Sequence, residues 1–270
     1  MLGDRGYRET VDPTARFAEL VQGPEPDIPL DEAALLIAAH AYPDLDVAAE
    51  LGILDHLAAG CPEPSLAAWR RYVFVDLGFS GDVGSYYDPA NSYLNDVVRR
   101  RMGLPITLSV VGIELGRRVG LRFEGIGMPG HFLLRDDSDP PTFVDPFESG
   151  RLLDRAGSEE RFHLVNGADA PFLASYLDPI GTRAILSRML ANLRSIFVHT
   201  ADLSGLEWVL TLRLAVPGVS PLERRDLARV LGSGGRFDEA AAQLEALAAT
   251  VPDQSDTLLE EATGFRARLN

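Results

Sequence analysis

Apolar side chains recur at helical spacing along most of the chain, and this pattern predicts a mainly helical protein. Before residue 120 the predicted helices cover residues 13–21, 33–41, 45–59, 65–77, 93–101 and 105–119. Asp12 or Thr14 is suited to cap the first helix. Pro105 suits a first helical turn, and Gly120 stops the last of these helices. The helix that begins at Pro105 leads directly into the only predicted β-rich part of the chain.

Three short strand-like runs follow this helix, at residues 122–127, 131–135 and 142–147. The turns between them carry Pro129-Gly130 and the polar residues 136–141, which predicts an antiparallel ribbon. His131 opens one predicted strand and Asp145 lies late in the next. Such a ribbon places this His beside this Asp. The strands are too short to stand alone, so they need the helix at Pro105 to cover one face, which predicts an α+β unit.

The remainder of the chain has a helical pattern. Short helices are predicted at residues 158–166 and 168–178, and longer ones at 182–200, 204–215, 221–232, 237–250 and 254–269. Several apolar residues near the end fall close to the spacing of tetratricopeptide (TPR) repeats, and Pro217 precedes Pro252 by about one such repeat. We therefore predict two parts, a domain over residues 1–180 and a TPR-like helical region over residues 181–270.

Composition and charge argue against several classes of function. The 270 residues are 46% hydrophobic, which is enough for a sizeable core, and the net charge of −15 argues against binding nucleic acid or an anionic membrane. The longest apolar run, residues 33–39, is far shorter than a membrane span, and the polar start of the chain does not resemble a signal peptide. We expect a cytoplasmic location. The single cysteine, Cys61, excludes an internal disulfide and a cysteine-based metal cluster, and no cofactor or metal is predicted.

Four short motifs occur in order within 60 residues of this chain. They are DPANSYL (88–94), RMGLPITLS (101–109), PGHFL (129–133) and DPF (145–147). This order resembles the transglutaminase-like superfamily, and more closely its SirB-type branch, in which such a domain is joined to TPR-like repeats. The resemblance implies a papain-like core, with helices packed on a small antiparallel sheet, followed by an all-α TPR-like region.

The same resemblance implies a catalytic triad of Cys, His and Asp. His131 and Asp145 match its second and third members, although a His at a strand edge and an Asp in an Asp-Pro turn also have purely structural uses. Counting back along the helix from Gly120, the nucleophile position is Pro105, which has no nucleophilic group. Thr107 and Ser109 carry the nearest hydroxyls, and both residues can instead pack or back-bond inside the helix. Cys61 lies outside the motif helix and is either a displaced nucleophile or a simple loop thiol.

Other polar motif residues fit two roles. Asn91, Tyr93 and Pro105 are predicted to line a binding site, while capping and packing explain Asn91 and Tyr93 equally well. His40 and His56 lie on apolar helices, where a core or boundary position is the usual role of a histidine.

Three functions are compatible with these residues. The favoured one is a non-catalytic transglutaminase-like protein whose cleft binds a peptide or protein partner, with a regulatory role. The second is an acyl-transfer or amide-hydrolysing enzyme that uses Thr107 or Ser109 with His131 and Asp145. The third is a structural adaptor that uses only its helical surface. Substrate, partner, pathway and oligomeric state are left open by the sequence.

Overall fold

A computed structural model describes residues 12–269 of the chain. The prediction about the first residues, that they form no signal peptide, lies outside the described part. The α-helices are α1 (Pro13–Gln22), α2 (Leu30–Ala39), α3 (Val47–Ala59), α4 (Leu66–Arg71), α5 (Leu94–Arg100), α6 (Pro105–Arg118), α7 (Arg155–Asn166), α8 (Thr182–Thr200), α9 (Leu203–Ala215), α10 (Glu223–Ser233), α11 (Phe237–Ala248) and α12 (Ser255–Arg266). The strands are β1 (Ser80–Gly81), β2 (Met102–Gly103), β3 (Glu124–Ile126), β4 (Leu133–Arg135), β5 (Phe143–Asp145), β6 (Arg151–Leu153) and β7 (Pro179–Ile180).

Five of these strands form one antiparallel sheet in the order β6-β5-β4-β3-β7. The predicted small antiparallel sheet is therefore confirmed. Strands β1 and β2 form a separate parallel pair, in which Gly81 is opposite Gly103. This pair lies directly before α6, so it fixes where that helix begins.

Helix α6 is the centre of the domain. Eleven of its fourteen residues are buried, and its small residues let the sheet approach closely. A Cβ atom on Gly112 would lie 2.6 Å from Leu134 of β4, and one on Gly116 would lie 2.5 Å from Phe123. Larger side chains at these two positions would push the sheet away. The predicted packing of this helix on the β-ribbon is therefore present.

The sheet is covered on both faces, as the alternation along its strands requires. Leu134 and Val144 contribute to the main core around α6, while Leu133 and Phe143 belong to a second cluster with Phe162 of α7. A layer of helices covers one face of the sheet, and a shorter layer covers the other face.

Four details differ from the sequence prediction. Residues 168–178 form only a short 3-10 turn, Ala174–Leu177, and the segment then continues into β7. Strand β6 and strand β7 were not predicted. The helix expected over residues 65–77 ends as a wider π-type turn, Tyr72–Asp76. His131 precedes β4 by two residues and lies in a turn, because its backbone N–H bonds to Met128 O.

A cluster of charges, buried except at Asp55 of α3 and Arg117, ties α6 to α2 and α3. Arg118 pairs with Asp31 Oδ2 at 2.6 Å, Glu114 Oε2 at 2.7 Å and Asp55 Oδ1 at 2.7 Å. Burial acts to raise the pKa of Asp31, but the hydrogen bonds and charge of Arg118 outweigh it, so this pKa is lowered. Burial and the neighbouring Asp31 raise the pKa of Glu114, despite its bonds to Arg117. The contributions of Asp31 and Glu114 to the free energy of unfolding therefore change in opposite directions as the pH rises.

We expect Glu114→Gln to flatten part of the pH dependence of stability. The folded protein holds the proton of Glu114 more tightly than the unfolded chain, so this contribution is complete below the usual pKa of 4.5 and is lost as pH rises through the raised value. The free energy of unfolding of the variant, from urea titrations, should fall less than that of the parent between pH 4.5 and pH 7. Glu19→Gln, at an exposed ion pair, is the control. Identical pH profiles for parent and Glu114→Gln would contradict the assignment.

The helices after residue 181 divide between two clusters. Leu190 and Leu193 of α8 and Leu212 of α9 lie in the same core as Phe17 and Leu108. Helices α10, α11 and α12 share another cluster, separate from the one around Phe162, in which Leu227, Leu231, Leu244 and Leu247 are buried. The main core thus contains side chains from both sides of residue 180. The division of the chain at that residue, and the TPR-like character of its end, stay predictions.

Candidate functional site

His131 and Asp145 form a buried pair at the edge of the sheet. His131 Nε2 lies 2.9 Å from Asp145 Oδ2, and the two side chains are 5% and 0% exposed. An ionised carboxylate only accepts hydrogen bonds, so the imidazole donates from Nε2. In the neutral ring, Nδ1 then carries the free lone pair, and no described residue bonds to it. The arrangement leaves a basic nitrogen on the side of the ring away from Asp145.

Asp145 is held rigidly from several directions. Its Oδ1 accepts the backbone N–H groups of Phe147 and Glu148 at 3.1 and 3.2 Å, which forms a turn at the end of β5. Its Oδ2 also lies 3.0 Å from Nε of Arg161 on α7. Arg161 also forms an ion pair with Glu148. Because the carboxylate is fixed, the imidazole ring is fixed as well.

The pair is connected to the start of α6 by backbone hydrogen bonds. Gly81 N donates to Phe147 O at 3.1 Å, and Gly81 is paired in turn with Gly103, two residues before Pro105. The Phe147 ring meets the His131 ring edge-on at a centroid distance of 6.2 Å. A Cβ atom on Gly81 would lie 2.3 Å from the Phe147 ring, so only glycine allows this approach. The sheet edge and the N-terminal end of α6 are thereby joined.

The predicted hydroxyl candidates lie inside α6. Pro105 is at its first position, where a missing N–H is tolerated. Ser109 is fully buried, and its Oγ donates to Pro105 O at 2.8 Å. Thr107 is also fully buried, and its Oγ1 has no hydrogen-bond partner in the described structure. Ser109 therefore makes the back-bond that its sequence position allowed, and neither hydroxyl has a His or carboxylate as a hydrogen-bond partner.

Cys61 is found at the other end of the central helix. It lines a cavity of about 450 Å³ together with Asp55, Arg118 and Val119, and its Sγ lies 3.4 Å from Glu63 O. Arg118 is the last residue of α6, and fourteen helical residues span about 20 Å. The thiol is therefore remote from the first turn of α6, where Pro105 stands.

Asn91 and Tyr93 support the segment before α6. Asn91 O accepts the N–H of Leu104 at 3.2 Å, and Asn91 Nδ2 donates to Ser85 O at 2.8 Å. Tyr93 is buried against Tyr42 and occupies the N-cap position of α5. Asn91 therefore connects the loop over residues 78–92 to the start of α6, and Tyr93 anchors the start of α5. Their predicted role in binding is compatible with this position and stays a prediction.

Of the two histidines expected at core or boundary positions, His40 lies at such a position and His56 does not. His40 stacks on Trp208 at a centroid distance of 5.1 Å and bonds to Leu36 O and Thr14 Oγ1, and burial lowers its pKa. His56 is exposed on α3.

Comparison with known proteins identifies the fold family. The family profile described as the transglutaminase-like superfamily matches residues 44–191, which is more than half of the chain. The chain belongs to the transglutaminase-like superfamily. The matched segment contains α6, the sheet, His131 and Asp145. No solved structure matched the chain.

Bacterial and animal proteins share this segment. A UPF0162 protein of Xylella fastidiosa (strain Temecula1) is 44% identical over 186 residues, which cover 64% of this chain and 66% of that protein. A UPF0162 protein of Pseudomonas aeruginosa is 32% identical over 182 residues, covering 64% and 65%. Human F-box only protein 21 is 30% identical over 136 residues, covering 47% of this chain and 21% of that protein. The matches thus span slightly less than two thirds of the bacterial relatives and a small part of the animal one.

Two arginines near this transglutaminase-like site were not found from the sequence. Arg161 comes from α7 and Arg188 from α8, and neither belongs to a recognised motif. Arg188 donates to His131 O and Met128 O, so it contacts the main chain of the site. Only the three-dimensional fold brings α7 and α8 into contact with residues 128–148. Within residues 12–269, no helix is long and apolar enough to cross a bilayer.

Proposed function

We propose that the chain is a non-catalytic transglutaminase-like protein of the SirB type, which binds a peptide or protein partner at the site around His131 and Asp145. The observation that carries this proposal is the state of the helix facing that site. Pro105 stands where the superfamily places its nucleophile. Ser109 donates its hydroxyl hydrogen to Pro105 O, and Cys61 is at the far end of α6.

A hydroxyl nucleophile needs a neighbouring base, since its own pKa is far too high for an oxyanion to persist. Among residues 12–269, no hydroxyl is hydrogen-bonded to the free nitrogen of His131. Helical geometry also rotates position 107 by about 200° from position 105, so a His that serves one position does not serve the other. Ser109 is on the same side as Pro105 but lies about 6 Å deeper along the helix.

The retained pair is suited to binding. A fixed imidazole with one free nitrogen, beside exposed aromatic rings, can accept a backbone N–H of an extended peptide. Tyr86 and Tyr87 are 38% and 69% exposed, and Tyr86 contacts Phe147. Such partly exposed aromatic groups are enriched at protein interfaces.

The last helices supply a further surface in this proposal. Helices α10, α11 and α12 pack as successive neighbours, and a Cβ atom on Gly232 would lie 2.2 Å from Phe265 of α12. Close antiparallel helices of this kind are the unit of TPR-like arrays. We place the protein in the cytoplasm, with a regulatory role and without nucleic acid, membrane or cofactor.

Enzyme assays test the proposal. We expect no amide hydrolysis and no amine incorporation by the parent on generic acyl substrates, since it has no activated nucleophile. The same assays should include Thr107→Val, Ser109→Ala, Cys61→Ala and His131→Ala. Turnover by the parent that disappears with His131→Ala and with one of the nucleophile variants would replace the proposal with an active enzyme. Turnover that survives all four changes would identify a contaminant.

A further inference from the structure

Arg188 is a cation without an anionic partner, directly beside the proposed site. It projects from α8, and its Nη2 donates to Met128 O at 3.1 Å and to His131 O at 3.2 Å. Its guanidinium also lies 5.4 Å from the centre of the Phe132 ring. No carboxylate within residues 12–269 comes within ion-pair distance of it.

Two of its five N–H groups are engaged by these carbonyls. The other three, on Nε and Nη1, have no acceptor among the described residues. Arg188 is partly exposed, so a small ligand can reach it. Arg101 is a useful contrast, since its Nη1 also lacks a partner but is enclosed by protein. Most other shielded arginines meet carboxylates, as Arg213 does with Glu223.

The residues around Arg188 are part of the proposed site around His131. Tyr86 is close enough for its phenol to oppose the lowering of the Arg188 pKa, which burial causes. The Tyr86 ring contacts Phe147, and Phe147 contacts His131. A Cβ atom on Gly127 would lie 2.7 Å from Arg188 Nη1, so a glycine at this position leaves the room that the guanidinium occupies. The cation is therefore held in place by the same turn that carries His131.

We propose that Arg188 binds a carboxylate group of the peptide that occupies the site. Both parallel N–H pairs of a guanidinium include Nη2, whose hydrogens are already engaged, so Arg188 offers its Nε–H and Nη1–H groups as single donors to carboxylate oxygens. The positive charge and the partial burial strengthen this pairing. The net charge of −15 repels acidic ligands at long range, so the affinity must come from this local contact. The carboxylate is either the C-terminus of the peptide or the side chain of an Asp or Glu. This inference rests on the proposed peptide-binding function and names the chemistry of the ligand.

Nuclear magnetic resonance of the full chain tests this inference. The Nε–H resonance of Arg188, assigned by its loss in Arg188→Met, is followed during titration with N-acetylalanine, N-acetylaspartate α-amide and N-acetylalaninamide. We expect a saturable shift with at least one of the two carboxylates and binding at least tenfold weaker for the uncharged amide. The carboxylate with the larger affinity identifies a C-terminal or side-chain source.

Variants of Arg188 and Arg224, and inorganic phosphate as an alternative ligand, complete the binding experiment. Arg188→Lys keeps the charge but loses the planar guanidinium with its free Nε–H and Nη1–H donors, and should weaken binding at least fivefold. Arg224→Met is the matched control, because Arg224 also lacks a carboxylate and bonds to Gln243 instead, and it should leave binding unchanged. If Arg188→Met fails to fold by circular dichroism, the lysine variant assigns the resonance. No saturable shift, or an equal shift with N-acetylalaninamide, overturns the proposal. Stronger binding of inorganic phosphate than of either carboxylate also overturns it, in favour of a phosphate site.

The outcome separates this inference from the function it rests on. Turnover in the enzyme assays together with a saturable Arg188 shift would reject the non-catalytic function and retain the carboxylate contact. Absence of both turnover and shift would retain the non-catalytic function and reject the role of Arg188.

Discussion

Replacing Arg118 by Met is expected to lower the free energy of unfolding by about 3 kcal/mol or more, the usual effect of breaking a buried ion pair from one side. The Arg118 side chain is 11% exposed and bridges Asp31 and Glu114, whose side chains are 6% and 4% exposed. Without the guanidinium, two carboxylates remain close together inside the protein. Urea or thermal unfolding at pH 7 measures the loss.

Arg117→Met is the matched control for this prediction. Arg117 pairs with the same two carboxylates, but its side chain is 60% exposed, so water screens its charge and its contribution should be below about 1 kcal/mol. The destabilisation by Arg118→Met should also shrink at low pH, where Glu114 becomes neutral. Equal losses for Arg117→Met and Arg118→Met would show that burial does not govern this cluster.

The helical part of the fold could be predicted from the sequence because its signals are local. The pattern over residues 182–200 matches α8, and Asp12 caps α1 through Thr14 N as expected. The short strands were harder. Three residues, as in β6, carry too little alternation to indicate a strand, and β7 has two residues that include a proline. These strands form because neighbouring strands offer hydrogen bonds, which no local pattern encodes.

The candidate site also contains contacts that local sequence patterns do not encode. The proximity of His131 and Asp145 could be anticipated, since a ribbon brings the turn before β4 close to the end of β5. The contacts of Asp145 with Arg161 and of His131 with Arg188 could not, since α7 and α8 reach the site only through packing in three dimensions. The burial of Thr107 and Ser109 also follows from the central position of α6, with helices and the sheet packed around it.

The second large effect is expected from placing a thiol at the start of α6. In a Cys61→Ala background, Pro105→Cys should give a thiol whose reactivity depends weakly on pH, because a helix N-terminus and a neighbouring imidazole favour the thiolate. The proline is at the first helical position, so the change removes no hydrogen bond. Ser109→Cys in the same background is the control, since this position lies one turn further along the helix, away from its N-terminal end.

The central claim is that the His131–Asp145 pair serves a site lacking only its nucleophile. The most direct measurement of this claim is the rate of alkylation of the new thiol by iodoacetamide, compared between pH 6 and pH 9. An ordinary thiol loses about 200-fold in rate between these pH values, and taking the ratio removes the effect of accessibility. We predict a loss of no more than about tenfold for Pro105→Cys, and a return to the steep profile when His131→Ala is added. A steep profile in Pro105→Cys that is unaffected by His131→Ala would contradict the account.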